Sequence, residues 1–433
     1  MQILPRFLPV LSSASANPSV GLNPVQRWQL SSGTEVLALT LPEAPLVCVD
    51  LWCRAGSAFE QTGESGLAHL LEHMVFKGSA RQPAGAFDLQ IEALGGSSNA
   101  ATGFDDVHYY VLVPPQAVGE AVELLLDLVL QPRLDAADLE LERLVVLEEL
   151  AQSQDQPDEM ALQSLLELGC GNHPYGKAIL GDKDQLEQHS ANALQSFQQR
   201  QYRARDCVLA LSGPLQANQL EALLRQLELS PLAALTGGSA QQQSEAVRIK
   251  PGRHRRQQPR LEAARLLMAW SVPGAAERRS IAALDVLTSV LAEGRRSRLV
   301  ERLREQLQLV ESIDLDLQVL ERGSLVLLEA VCDPEDLSAV GDEIQAVLSG
   351  LIASGPEAAE LQRADRLVAN GYRFGLEAAA GVAGVIGNAA LWNRSLDLDE
   401  PLQLLSDLNS TELAQNLHLL EPSLACTLEV LPA

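Results

Sequence analysis

The chain contains two copies of one pattern, and this internal repeat constrains its fold more than any other feature. The segment that begins at Tyr109, YYVLVPPQAVGEAVELLLDLVL followed by DLELERLVV, recurs in outline as LVLLEAVCDPEDLSAVGDEIQAVLSGL followed by AAELQRADRLV. Pro114 corresponds to Pro334, and Arg143 corresponds to Arg363, with 220 positions between the members of each pair. A chain of 433 residues also exceeds the size at which one hydrophobic core keeps growing. We therefore predict two homologous domains.

A polar segment separates the two copies. Residues 231–260 are rich in Gln, Ser, Gly, Pro and Arg and lack a sustained apolar period, which is typical of a linker. The predicted organisation is a flexible leader (1–27), an N-terminal domain (28–230), the linker (231–260) and a C-terminal domain (261–433).

The linker carries four arginines, Arg253, Arg255, Arg256 and Arg260, which could suggest nucleic-acid binding. The chain as a whole has a net charge of −25 and a pI near 4.6. We therefore expect a solvated linker or ionic contacts within the chain, and no nucleic-acid partner.

Each copy has the pattern of an α+β domain. Residues 45–54 and 106–113 are rich in β-branched and aromatic side chains and are predicted strands. Between them, GLAHLLEHMVF and FDLQIEALG have the apolar spacing of amphipathic helices, and Gly95 and Gly96 end the second helix. We predict a sheet covered by helices in each domain.

A possible metal site lies in the first of these helices. His69, Glu72 and His73 form an H-x-x-E-H motif, and the two histidines are separated by four residues. On a helix this spacing places both imidazoles on one face, where they can bind a single Zn²⁺. Glu72 would lie beside the metal, where its carboxylate can take a proton from a zinc-activated water and act as a general base. By itself, the motif is also compatible with a solvated helix face.

A catalytic zinc site needs a third protein ligand. The helical segment LDAADLELERLVVLEELAQSQ offers Glu142 and Glu149, which are two helical turns apart and share a face. We assign Glu149 as the third ligand of one zinc per chain. Glu142 is predicted to orient a histidine through its second ring nitrogen.

Long segments around these residues resemble the pitrilysin (inverzincin) family of zinc peptidases, in particular the short subunits related to mitochondrial processing peptidase. The resemblance is carried by RAGSAFEQTGESGLAHLLEHMVFKGS, ALGGSSNAATGFDDVHYYVLVPP, ERLVVLEEL, HPYGKAILGDKDQL and GRRSRLVERLRE. It implies two homologous domains that face each other as a clamshell around a chamber. It also implies a third zinc ligand in VVLEE, which agrees with Glu149. With the 220-residue offset, the ligand positions of the second copy hold Ser289, Glu293 and Ala369, so that copy lacks the metal site.

The resemblance also indicates where a substrate binds. An extended peptide can add to the free edge of a sheet, and in the family that edge matches Asn99, Ala100 and Ala101. Phe76 matches a residue that lines the pocket beyond the cleaved bond, although an ordinary core position explains it equally well. Glu159, beside Asp158, matches acidic residues that recognise arginine in processing peptidases, so basic peptides are possible substrates.

One family feature is incomplete. Active members carry an Arg and, seven residues later, a Tyr in the second domain. Arg304 fits the arginine, whereas Glu311 occupies the tyrosine position. An ionised carboxylate cannot donate the hydrogen bond that a phenol supplies to an oxyanion. We therefore expect a dimer, in the form of a heterodimer with a paralogue that supplies the Arg/Tyr pair.

The sequence thus predicts a zinc metalloendopeptidase that hydrolyses unfolded peptides or presequences in an enclosed chamber. The alternative is a non-catalytic scaffold or assembly subunit with the same fold. The first 16 residues, MQILPRFLPVLSSASA, have weak signal-peptide character that Arg6 and two prolines interrupt. We expect a cytoplasmic protein without a membrane span, with periplasmic or organellar locations left open.

Overall fold

The computed structural model describes residues 19–22, 24–238 and 245–433. Residues 1–18, which make up most of the predicted leader, lie outside the described residues. The described residues form two sheets, each with its own set of helices.

Within the described residues the first sheet contains six strands, of which the inner ones are apolar and the two edge strands polar: β1 (Gln26–Gln29), β2 (Glu35–Thr40), β3 (Val47–Cys53), β4 (Ser97–Thr102), β5 (Val107–Val113) and β6 (Cys207–Gly213). Their order is β1-β2-β6-β3-β5-β4. Every residue of β3 and β6 is buried, as expected of central strands covered on both faces. The helices of this part are α1 (Leu67–Val75), α2 (Ala86–Ala93), α3 (Val118–Leu130), α4 (Ala136–Gln154), α5 (Pro157–Cys170), α6 (Lys183–Leu186), α7 (Ala191–Gln201), α8 (Ala217–Leu227) and α9 (Pro231–Ala234).

In the same described part of the chain, the second sheet contains five strands: β7 (Gly252–Gln258), β8 (Ala264–Val272), β9 (Ser312–Gln318), β10 (Ser324–Cys332) and β11 (Cys426–Pro432). Their order is β7-β11-β8-β10-β9. The helices are α10 (Arg278–Ala292), α11 (Leu337–Ser354), α12 (Ala358–Gly375), α13 (Ala379–Leu391), α14 (Glu400–Ser406) and α15 (Ser410–Leu417), with a π-helical segment at Val300–Gln306.

The two sheets have the same topology once β1 is set aside. In both, the first strand pairs in parallel with the last strand of the domain, and the other pairs are antiparallel. The predicted strands 45–54 and 106–113 correspond to β3 and β5, and the two predicted helices correspond to α1 and α2. The predicted pair of homologous α+β domains is confirmed.

The structure contradicts the prediction of a linker at the C-terminal end of residues 231–260. Residues 252–258 are not a tether, because they form β7 and pair with β11 at the edge of the second sheet. The sequence GRHRRQQ has no apolar period, since an edge strand exposed to solvent is held by backbone hydrogen bonds and not by a buried face. The predicted boundary at residue 261 was therefore wrong by at least the length of this strand.

Each domain contributes one helix to the other. Helix α5 directly follows α4 of the first domain in sequence, yet it packs against β8 and β11 of the second sheet. There Leu165 joins a core cluster with Leu267 and Leu428. Helix α13, its counterpart in the second copy, packs against β3 and β6 of the first sheet. This reciprocal exchange joins the two domains through apolar contacts.

The contact of α13 requires a small residue. A Cβ atom at Gly387 would lie 2.4 Å from Cδ1 of Trp52. The high Gly and Ala content of this helix therefore reflects close approach to the first sheet. No single helix in the described ranges combines the length and apolar character needed to cross a membrane; α12 and α13 reach it only together, with a bend of 101° between them.

Candidate metal centre

Helix α1 presents its two histidines on one face because its other face is fixed in the core. Leu67, Leu70, Leu71 and Met74 are fully buried. The helix begins after Gly66, whose φ of 81° and close approach to the carbonyl oxygen of Leu180 exclude a side chain. The imidazole rings of His69 and His73 consequently lie side by side, with centroids 4.7 Å apart and an interplanar angle of 65°.

Helix α4 brings the third side chain to this pair. It packs against α1 through a narrow buried face that includes Leu139, Val146 and Leu150. Glu149 Oε2 lies 3.4 Å from His73 Nε2 and 3.7 Å from His69 Nε2. The three candidate ligand atoms all lie within 4.8 Å of one another.

These distances fit a tetrahedral zinc site. Zinc bonds to imidazole nitrogen and carboxylate oxygen are about 2.0–2.2 Å long, which separates neighbouring ligand atoms by about 3.3–3.6 Å. The two measured separations from the carboxylate oxygen are close to this range. Two imidazoles and one carboxylate are also a donor set that zinc favours when a water or substrate completes its coordination. The residues present therefore fit the metal.

A buried carboxylate fixes the orientation of one histidine. Glu142 Oε1 lies 2.9 Å from His73 Nδ1, and Glu142 Oε2 lies 2.5 Å from Lys77 Nζ. The Glu142 side chain is 7% exposed, so Lys77 supplies the charge that compensates for its burial. His69 Nδ1 is buried without a hydrogen-bond partner in the described part of the chain, so packing alone orients that ring.

Glu72 lies next to the three-residue cluster and outside it. Its Oε2 accepts a short hydrogen bond from Thr102 Oγ1, at the end of strand β4. Burial raises the pKa of Glu72, and the hydrogen bond from Thr102 offsets part of that effect. Glu72 is thus a carboxylate with increased proton affinity, and Thr102 of the edge strand β4 holds it in place by a hydrogen bond.

The electrostatics of the cluster favour neutral imidazole at His69. Burial and the neighbouring His73 lower the pKa of His69 to about 4. Burial also lowers the pKa of His73, but its hydrogen bonds with Glu149 and Glu142 outweigh burial and raise it overall. The hydrogen bond with His73 lowers the pKa of Glu149, which favours the carboxylate. Neutral imidazole and ionised carboxylate are the forms that bind a metal.

The predicted substrate strand lies at an edge of the first sheet. Asn99, Ala100 and Ala101 belong to β4, which pairs with β5 on one side and ends the sheet on the other in the described residues. Phe76 follows α1 and contacts Phe87 and Tyr109, with ring centroids 6.0 and 6.4 Å apart. These contacts give Phe76 a packing role whatever else it does.

Other predicted residues occupy different surroundings. Glu159, in α5, accepts a hydrogen bond from Ser153. Arg304 lies in the π-helical segment of the second domain, and its guanidinium contacts the carboxylate of Glu305. Glu311 is exposed and its backbone N–H donates to Val331 O. The cluster around His69 thus forms from α1 and α4 without these three side chains.

Two residues near the cluster were missed by sequence reasoning. Lys77 follows His73 by four residues, so it lies above the histidine beyond the end of α1 and reaches Glu142. Thr102 ends the strand SSNAAT, whose sequence predicts only an edge for peptide binding. The helical spacing could have identified Lys77, whereas the contact between Thr102 and Glu72 depends on the tertiary fold.

The structure combines two homologous sheet-and-helix domains. A cluster of two histidines and one glutamate lies on two packed helices of the first domain. Together these features define the class of two-domain metallopeptidases. Family models agree with this assignment: residues 35–183 match the model described as "Insulinase (Peptidase family M16)", and residues 189–368 match "Peptidase M16 inactive domain". The chain belongs to peptidase family M16. The predicted resemblance to the pitrilysin-type peptidases, and with it the prediction of a zinc metallopeptidase, is confirmed at the level of the family.

Individual relatives cover most of the chain. An uncharacterized zinc protease of Mycobacterium leprae is 31% identical over 362 residues, covering 82% of this chain and 79% of the relative. A probable mitochondrial-processing peptidase subunit beta of Arabidopsis thaliana is 30% identical over 198 residues, covering 46% of this chain and 37% of that protein. The crystal structure of a protease from Helicobacter pylori has the same fold, with a TM-score of 0.85 and 22% identity over 95% of this chain and all of that one.

Proposed function

We propose that the protein is a zinc-dependent endopeptidase and that His69, His73 and Glu149 hold the zinc. The observation that carries the proposal is the convergence of these three side chains from two helices at separations suited to one tetrahedral ion. A zinc ion bound there supplies a Lewis acid that polarises a carbonyl group and increases the acidity of water.

In this proposal Glu72 is the general base. Its carboxylate is close to the cluster and has a raised pKa because it is buried. Thr102 holds Oε2, and Oε1 takes the proton from the attacking water and later delivers it to the leaving amine. Lys77 and Glu142 keep His73 in the orientation that directs its Nε2 toward Glu149.

The substrate is an extended, unfolded peptide. The free edge of β4 offers main-chain donors and acceptors along Asn99, Ala100 and Ala101, and Thr102 at the end of the same strand contacts the proposed base. Phe76 would line the pocket beyond the cleaved bond. Glu159 gives a preference for basic side chains, and the chamber between the two domains excludes folded proteins.

The complete active site requires a second subunit. Arg304 would bind substrate main chain, and Glu311 at the expected tyrosine position cannot stabilise an oxyanion while ionised. We therefore propose a dimer, with a paralogous chain that contributes the missing Arg/Tyr pair. Under this proposal, adding the paralogue to the purified chain increases peptide hydrolysis, and equal activity of the chain alone would disprove it.

Metal content and peptide hydrolysis test the metal site together. The wild-type chain should bind one zinc, and Glu149→Gln should lower both zinc content and chelator-sensitive hydrolysis. Glu72→Gln should keep the zinc and lose about 10²-fold or more of the hydrolysis, because it removes the base and not a ligand. Glu148→Gln is the matched control, since Glu148 is the exposed neighbour of Glu149. A scaffold subunit would instead contain no stoichiometric zinc and cleave nothing in any of these variants.

A further inference from the structure

The outer edge of strand β7 is an unfilled position in the repeated architecture. The first sheet has six strands and the second has five, because no strand in the described residues lies beside β7 as β1 lies beside β2. The two sheets otherwise share their topology. The pairing of β1 therefore shows how an additional strand would fit against β7.

The strand registers define that fit. In the first sheet, one row of paired residues crosses β1, β2, β6, β3 and β5: Gln29, Glu35, Val208, Trp52 and His108. The 220-residue offset relates His108 to Leu328, and the corresponding row crosses β7, β11, β8 and β10: Arg253, Thr427, Met268 and Leu328. Since β1 pairs with residues 35–38 of β2, the equivalent partner would pair antiparallel with residues 253–256 of β7.

This part of β7 is strongly basic and exposed. Arg253 and Arg255 share the buried carboxylate of Glu429, with Nε to carboxylate oxygen distances of 2.6 and 2.7 Å. Their side chains are nevertheless 49% and 66% exposed. Arg256 donates to the uncharged Ser164 Oγ. Two guanidinium groups thus share one carboxylate and the third contacts a hydroxyl, which leaves positive charge at this edge of a chain whose net charge is −25.

We propose that the outer edge of β7 binds an extended acidic peptide segment of a partner protein, which adds antiparallel to Arg253–Arg256 as the sixth strand of the second sheet. The strand edge supplies main-chain donors and acceptors in alternation, which a peptide satisfies and a phosphate backbone, having no donors, does not. The arginines select negatively charged side chains. This site is separate from the proposed metal centre and does not depend on catalysis there.

Peptide binding combined with amide hydrogen exchange tests the proposal. The probes are a fluorescent peptide of alternating Glu and Val and a counterpart with Gln in place of Glu, both added to the full chain carrying Glu72→Gln to prevent cleavage. The Glu peptide should bind more tightly than the Gln peptide by about tenfold, and binding should weaken with added salt. Exchange of the backbone amides in residues 253–257 should slow when the Glu peptide binds.

A matched pair of variants locates the site. Arg255→Gln with Arg256→Gln should weaken binding of the Glu peptide by about fivefold or more, whereas Arg81→Gln with Arg225→Gln, two exposed arginines elsewhere in the first domain, should not change it. Circular dichroism checks folding, and Arg255→Gln alone replaces the double variant if that fails to fold. Equal affinity for both peptides, protection confined to another strand, or displacement by duplex DNA without protection at β7 would overturn the proposal. Displacement by DNA would identify the arginines as a nucleic-acid contact. If neither peptide binds, the proposal is wrong, and the arginines serve only to protect the edge strand from aggregation.

Discussion

At the scale of single residues, the metal centre depends on a chain of contacts that extends beyond the three candidate ligands. Lys77 contacts Glu142, Glu142 contacts His73, and His73 faces Glu149. His69 has no comparable support at Nδ1 in the described residues. The site therefore has one histidine oriented by hydrogen bonds and charge and another oriented by packing.

This asymmetry predicts that Lys77 contributes to metal affinity without touching the metal. Lys77→Met removes the cation that compensates for the buried Glu142 carboxylate, so that His73 loses its fixed orientation. We expect zinc affinity to fall by about tenfold, as is typical when an outer partner of a ligand is lost. Competition with a chromophoric chelator measures this directly, with no need for catalysis.

Lys183→Met is the control for this experiment, because Lys183 is an exposed lysine that pairs with Glu187 far from the histidines in sequence. It should leave zinc affinity unchanged. If wild type and Lys77→Met bind zinc equally well, Glu142 is held by His73 alone and Lys77 has no positioning role.

At the scale of secondary-structure elements, the sequence predicted those parts whose signal is local. The apolar faces of α1 and α4 are visible as helical spacing, and the predicted ligands follow from it. Strand β7 lacked such a signal because its side chains are polar and its stability comes from pairing with β11. The contact between Thr102 and Glu72 joins residues from two elements, so no local pattern could reveal it.

The close approach of Gly387 in α13 to the first sheet can be tested at the same scale. Gly387→Ala would place a methyl group 2.4 Å from Trp52 Cδ1 and 3.1 Å from Ala210 Cβ, so α13 must shift from the first sheet. We expect a loss of about 1–3 kcal/mol in the free energy of unfolding, as for overpacked cores. Denaturant unfolding provides the measurement.

Gly371 in α12 is the matched control, because a Cβ there would meet no atom within 4 Å. Gly371→Ala should raise stability by about 0.5–1 kcal/mol, since alanine loses less backbone freedom on folding. If both variants were stabilised, the close contact between α13 and Trp52 would not exist in solution.

At the scale of the whole molecule, buried polar groups fix the two domains at their junction. Asp105 accepts hydrogen bonds from the hydroxyl of Tyr175 and from the backbone N–H of Glu321. Asp106, next in sequence, accepts from Asn388 Nδ2 and Trp392 Nε1 at the end of α13. The turn between β4 and β5, which follows the proposed substrate strand, therefore contacts the second domain at two points.

This junction makes the stability of the molecule depend on pH. Burial raises the pKa of Asp106 to about 6, although the hydrogen bond from Trp392 opposes the shift. In the unfolded chain an aspartate titrates near pH 3.9. Between these two values the folded state binds more protons than the unfolded state, so this group lowers stability as pH rises and its contribution levels off above about pH 6.

Asp106→Asn keeps an oxygen that accepts from Asn388 and Trp392 and removes the titration. The variant should therefore gain stability over wild type by about 2–3 kcal/mol between about pH 4 and pH 7, whereas Asp155→Asn, at an exposed carboxylate, should show no such gain. Unfolding curves measured across this range decide the matter: a constant difference between Asp106→Asn and wild type would mean that folding does not raise the pKa of Asp106.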